Sequence, residues 1–292
     1  MPLSVATPQQ EFLDIRGLRH RLLRWGPASA DPIVLLHGFL DCAETFQFLV
    51  DELPREWSFV ALDWRGFGDS AHAQQGYWFP DYLADLDVLL ERLGDGRPLR
   101  VIGHSMGGNV ALIHGGVRPG AFRWIASLEG FGLPRTRPED APLRYAEWLE
   151  SLRRGPRRSR YRSVEQLAGI LRTRNSRLSA ERAQFIARAW TRPDDSEFAL
   201  RADPAHRHAN PVLYRRDENE ACWQRIDVPV LMLLAGESEY LPRLAAEGTP
   251  EYFARHLRQL TLRTLPGVGH MMHHEDPALV GAAIRAFAEG VT

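Results

Sequence analysis

Lysine is missing from this 292-residue chain, and all 36 of its basic residues are arginine. We read that first as a coding bias. Set against 37 acidic residues, the arginines leave a net charge of −1, so bulk charge predicts no polyanion partner. Cysteine is scarce. Cys42 and Cys222 are too few for a disulfide framework, stand far apart, and read as free thiols in a reducing compartment. No apolar run approaches the ~20 residues that span a bilayer. The start, Met1 to Gln10, lacks the basic and apolar stretches of a signal peptide. A cytoplasmic location is the expectation. Internal repeats and low-complexity tracts are also lacking.

What is present is the composition of an ordinary globular protein, 44% hydrophobic and 25% charged. An opening pair of strands is expected over 11–25. Pro32 to His37 is a continuous apolar run, as in a central parallel strand covered on both faces. Further strands are predicted over 57–63, 98–102, 122–128, 228–234 and 259–265. Between them the apolar spacing predicts helices over 43–52, 80–93, 250–257 and 277–288, and one directly after Ser105. This alternation implies a mostly parallel sheet with helices on both faces.

Residues 131–225 break the pattern. They hold seven more arginines than acidic residues, so the remainder of the chain carries −8. Short helical patterns occur over 143–152, 163–172 and 179–190, with prolines between and no apolar strand run. The stretch reads as a helical lid inserted between two core strands, with the core at 1–130 and 226–292. Six arginines fall between Arg153 and Arg162. Such a cluster can hold phosphates in a salt-dependent way, or steer acidic substrates towards a site. More often it is a solvated face.

The chemistry centres on Gly103-His104-Ser105-Met106-Gly107. It lies between a predicted strand and a predicted helix, the context that gives G-x-S-x-G its meaning. There the serine is forced to the tip of a tight turn. The amide of Met106 stands at a helix N-terminus, which favours a developing negative charge. A second amide can come from Phe39, in the loop His37-Gly38-Phe39, where Gly38 permits close backbone approach. Each such donor is typically worth about 3–4 kcal/mol of transition-state stabilisation.

A serine nucleophile needs a base, and the base needs an orienting acid. The expected order is serine, acid, histidine. His270, in the Gly-flanked loop after the last predicted strand, is the best base. The acid stays open between Glu239, which is preferred, and Glu129, which ends the strand over 122–128; Glu237 is worse placed. Both leading candidates stand at the carboxyl edge of the sheet, where ligands collect. His273 and His274 complete an H-x-x-H-H run with His270. No carboxylate or cysteine is arranged with them as a ligand set, and a serine nucleophile already explains His270, so no metal is assigned. His37, Gly38, Leu40, His104, Phe131, Trp148 and Met271 are candidate substrate contacts. Trp148 belongs to a set of lid aromatics with Tyr145, Phe185, Trp190 and Trp223.

These residues carry a resemblance. The His37-Gly38-Phe39 loop, Asp63-Trp64-Arg65-Gly66-Phe67-Gly68-Asp69-Ser70, Gly103 to Gly108, Gly236 to Glu239, and Gly269-His270 with Glu275 and Pro277 stand in the order and spacing of the α/β-hydrolase fold family. The chain is most similar there to serine hydrolase-like proteins. The match covers about 15–130 and 226–290 and leaves out the lid. It implies an eight-stranded sheet with a helical cap after the sixth strand, Ser105 as nucleophile and His270 as base. The family usually has Asp where Glu239 stands, and some members place the acid where Glu129 stands. Serine at the elbow argues against epoxide hydrolase and haloalkane dehalogenase chemistry. Esterases, thioesterases, lactonases and some carbon–carbon bond hydrolases share this elbow. The expected activity is therefore serine hydrolysis of an ester-like bond in a small, possibly acidic, molecule, with no cofactor. Carbon–carbon hydrolysis is the alternative, and binding of an anionic surface or nucleic acid is a remoter one.

Overall fold

The computed structural model describes residues 7–29 and 31–291. Met1 to Ala6, most of the segment read above as lacking a signal peptide, lie outside the described residues. The central sheet has eight strands. They are β1 (Gln9–Ile15), β2 (Leu18–Trp25), β3 (Ile33–Leu36), β4 (Phe59–Leu62), β5 (Leu99–His104), β6 (Phe122–Leu128) and two later ones, β10 (Val230–Ala235) and β11 (Leu260–Leu265). Their order is β1-β2-β4-β3-β5-β6-β10-β11. The β1–β2 and β2–β4 pairs are antiparallel and the rest are parallel.

Helices cover both faces because the inner strands are apolar on both. On one side pack α2 (Phe79–Gly94) and α3 (Met106–Val117), with Leu86, Leu89, Val110 and Leu112 in a cluster with Val34, Val101 and Ile125. On the other, the short α1 (Gln47–Val50) and, near the C-terminus, α10 (Pro277–Gly290) bury Leu49, Val280, Ile284 and Phe287 against Leu35, Ile102 and Leu233. The helix expected over 43–52 is realised as a 3-10 turn at Ala43–Phe46 followed by a single α turn.

Between β6 and β10 the chain forms α4 (Ala141–Arg154), β7 (Arg160–Tyr161), α5 (Val164–Arg174), α6 (Ala180–Trp190), β8 (Thr191–Asp194), β9 (Glu197–Leu200) and α7 (Arg216–Trp223). The three helices fall where the periodicity put them. The small antiparallel sheet β7-β9-β8 adds strands to a segment read as helical from its lack of an apolar strand run. Its strands are two to four residues long and read Arg-Tyr, Thr-Arg-Pro-Asp and Glu-Phe-Ala-Leu, too short and polar to register as apolar runs. Helix α7 packs on α3, and Trp223 joins the main core beside Phe253. Gly116 permits the approach, since a Cβ there would collide with the Cys222 carbonyl. The end of the expected lid thus lies in the core layer. After β10 come α8 (Pro250–His256), β11 and α9 (Met272–Glu275), ahead of α10.

Candidate active site

The sheet order decides which loops meet. Leu36 of β3 pairs with Gly103 of β5, which pairs with Ser127 of β6, and Leu128 is followed by Glu129. The carboxyl ends of β3, β5, β6, β10 and β11 therefore deliver the Gly38 loop, Ser105, Glu129, Ser238 and His270 side by side.

Ser105 adopts φ 49° and ψ −114°. A non-glycine residue held in that left-handed region costs of order 1–3 kcal/mol, which the surrounding structure must impose. Here it does: the Ser105 N–H donates to the Leu128 carbonyl at 2.8 Å and its carbonyl accepts from Asn109 at 2.9 Å. A Cβ on Gly103 would lie 2.6 Å from the Gly107 carbonyl, and one on Gly107 would collide with the Leu36 oxygen. The two glycines of the motif are thus fixed by close approach of strand and helix.

His270 Nε2 lies 3.0 Å from Ser105 Oγ, and Nδ1 lies 3.2 Å from Glu129 Oε2. With Nδ1 protonated towards the carboxylate, Nε2 is free to accept the serine proton. Glu129 has a fully buried side chain and a left-handed backbone, φ 55°. Its Oε1 accepts from the Ala235 N–H at 2.8 Å, and its Oε2 accepts from the Ser238 hydroxyl at 2.6 Å. The preference for Glu239 is corrected: its side chain is exposed, and His270 meets Glu129 instead. Glu237 is exposed as well. The loop after β10 still contributes, because Ser238 clamps Glu129. Nothing in the sequence singled out Ser238.

The Gly38-to-Asp41 turn, closed by Asp41 N–H to the Gly38 oxygen at 3.3 Å with Leu40 at φ 60°, leaves the Phe39 amide outside its own bond. Met106 opens α3, so its amide has no acceptor one turn earlier within the helix. His37 is fully buried behind the loop. Its Nε2 accepts from the Trp64 N–H at 3.1 Å, so Nδ1 donates to the Gly38 oxygen at 2.7 Å. Burial lowers its pKa, which keeps this donor–acceptor pair in place.

Above Ser105 opens a cavity of about 890 Å³ with mainly apolar walls. Phe39, His104, Met106, Phe131, Trp148 and Met271 line it, as do Ser105, Glu129 and His270. His37 and Gly38 do not line it, being buried behind the loop they support, and neither does Leu40. Leu40 instead faces a separate recess of about 130 Å³ edged by Arg157, Arg158, Arg192 and Arg207. Of the lid aromatics, Trp148 reaches the cavity, Trp223 is core, Phe185 packs on Phe48, and the Trp190 indole donates to Asp41 at 2.9 Å.

Several lining residues carried no sequence signal. His206 is sandwiched between Phe67 and Tyr77, with ring centroids 3.8 and 3.6 Å away. Burial pushes its pKa down to about 3, so it is a neutral imidazole at ordinary pH. Tyr240 lies 4.4 Å from the His270 ring, and Arg243 stacks over Tyr240. His273 and His274 are buried against Asp41, so a carboxylate does accompany the H-x-x-H-H run, from a loop distant in sequence. That corrects the premise on which no metal was assigned.

A family model described as alpha/beta hydrolase fold matches residues 31–277. A serine hydrolase-like protein of Danio rerio is 27% identical over 281 residues, covering 91% of this chain and 83% of that one. The solved structure of a hypothetical protein from Pseudomonas aeruginosa PAO1 is 27% identical, with a TM-score of 0.83 over 96% of this chain and 98% of the other. A thioesterase domain from the curacin biosynthetic pathway is 25% identical, with a TM-score of 0.80 over 96% and 99%. A strained serine on a strand-to-helix turn, a histidine against it, and these likenesses together place the chain in the α/β-hydrolase fold family, as a hydrolase.

Proposed function

We propose that the chain is a serine hydrolase that cleaves an ester-like bond, whether carboxylic ester, thioester or lactone, through an acyl-enzyme. The observation that carries the reading is His270 held between Ser105 Oγ and the buried Glu129 carboxylate. Ser105 attacks the substrate carbonyl as His270 Nε2 takes its proton. Glu129 holds the imidazole in the required tautomer and stabilises the imidazolium. The Phe39 and Met106 amides receive the oxyanion. His270 then protonates the leaving group, and water, deprotonated by the same nitrogen, releases the acid. None of these steps calls on a cofactor.

The segment between β6 and α7 acts as a cap, and Trp148 and Leu152 of α4 line the acyl end of the cavity. Arg243 on the cavity wall and the arginines around the adjoining recess support acidic substrates. Falling kcat/KM for a carboxylated ester as salt rises is the expected sign of that steering.

The experiment is labelling with a fluorophosphonate, followed by turnover of a panel of aryl esters and thioesters. Labelling is expected in the wild type, none in Ser105→Ala, and much slower labelling in Glu129→Gln than in Glu239→Gln. A folded wild type that neither labels nor turns over any ester refutes the reading. Turnover of dienone-type substrates in place of esters would redirect it to carbon–carbon hydrolysis.

A further inference from the structure

The described residues contain one grouping of metal-ligating side chains outside the triad, Asp41, His273 and His274. Asp41 follows the Phe39–Leu40 turn, and the two histidines lie in α9, three and four residues after His270. All three are buried, at 2%, 0% and 1% exposure. Asp41 Oδ2 is 3.5 Å from His273 Nε2 and 3.3 Å from His274 Nε2, and one ligand atom from each residue lies within 4.8 Å of the others.

Each of the three atoms is shut off from solvent, and both imidazole nitrogens face the same carboxylate oxygen at the long end of hydrogen-bond distance. Two imidazole nitrogens sharing one carboxylate oxygen in a buried site form a donor set that a cation would complete. The spacing identifies it. A tetrahedral ion with bonds of about 2.0–2.2 Å to nitrogen and oxygen holds its ligand atoms about 3.4 Å apart. Both edges from Asp41 Oδ2 fall there. The other carboxylate oxygen, Oδ1, is already engaged, accepting from Thr45 Oγ1 and Trp190 Nε1 at 2.9 Å each. Those bonds aim Oδ2 at the imidazoles, as outer hydrogen bonds do for metal ligands.

We propose that Asp41, His273 and His274 bind a divalent transition-metal ion, with water as the fourth ligand. Two imidazoles and one carboxylate in tetrahedral spacing suit zinc best. The ion joins three parts of the molecule: the loop that carries the Phe39 amide, the turn that carries His270, and, through Trp190, helix α6. His104, whose Nε2 meets the His270 carbonyl at 2.8 Å, has its ring centroid 4.4 Å from that of His273, the rings tilted, and links the site to the catalytic turn. The site stands on its own geometry and does not depend on the ester-cleaving reading.

The test uses the untagged full chain, expressed with zinc in the medium, desalted, and assayed for metal by mass spectrometry. A second preparation, grown with cobalt, is read by visible absorption. Expected are about one zinc per chain and the intense cobalt bands of a four-coordinate site. Asp41→Asn and His274→Gln should each lose most of the metal, while Ser105→Ala keeps it. Wild type free of metal that also takes up none on zinc titration overturns the proposal, as does full metal content in both ligand variants. If those variants do not fold, the wild-type cobalt spectrum decides, and a weak six-coordinate spectrum counts against the site.

Discussion

Every residue of β3 and β4 is fully buried, whereas not one of the fourteen residues of α4 is. Leu143, Tyr145, Leu149 and Leu152 are all exposed on that helix. Helices α5 and α6 do somewhat better, with a private cluster of Leu167, Ala168, Ala183 and Ala187. The core is thus held by apolar burial on both faces of the sheet, and the proposed catalytic groups hang from its edge. The inserted segment is held by small clusters and polar joints. Several of those joints meet at the turn behind His270. Glu275 accepts from Gly269 N–H at 2.6 Å, from Arg177 Nε at 2.8 Å and from Asn175 Nδ2 at 2.7 Å. Rigid burial suits groups that must hold positions to fractions of an ångström, and loose packing suits a wall that must admit a substrate.

The comparison can be broken at several points. The largest effect is expected from Ser105→Ala, which should lower kcat by at least about 10⁴-fold while the melting temperature stays within a few degrees. Next, Glu129→Gln should lower kcat by about 10²–10⁴-fold, and Glu239→Gln should leave it within twofold, both read by steady-state kinetics. Equal losses in the two variants would detach the acid role from the edge of β6.

The stability contrast is sharper still. Leu35→Ala, at a site with no exposure, should cost about 2–5 kcal/mol in denaturant unfolding. Leu149→Ala on α4 should stay within about 0.5 kcal/mol. Trp148→Ala should instead raise KM for long acyl esters more than for acetates. A last effect concerns pH. His206 has a folded pKa near 3 against 6.5 unfolded, so below pH 6.5 the unfolded chain takes up a proton that the folded one refuses. Stability should then fall with pH between 6.5 and about 3, by at most about 1.4 kcal/mol per unit from this group. His206→Phe keeps the stack between Phe67 and Tyr77 and should flatten that slope in thermal melts.

The inner core strands were legible because parallel strands buried on both faces are written as continuous apolar runs, such as Ile33 to Leu36. Ser105 and His270 were legible because a tight turn and a flanking loop demand glycines at fixed offsets. Strands β7 to β9 were not, since their pairing depends on partners rather than on apolar content. The acid was ambiguous for a similar reason. Glu129 and Glu239 both follow strands at the same sheet edge, and only the β6–β10 register and the Ser238 clamp select between them. The sequence by itself thus determined that Ser105 stands on a strand-to-helix turn and His270 in a loop after the last strand, because local turn chemistry and apolar period act over a few residues. The tertiary structure alone decided which carboxylate meets His270 and that Asp41 faces His273 and His274. Those meetings depend on the order of strands in the sheet, which no local stretch of the chain records.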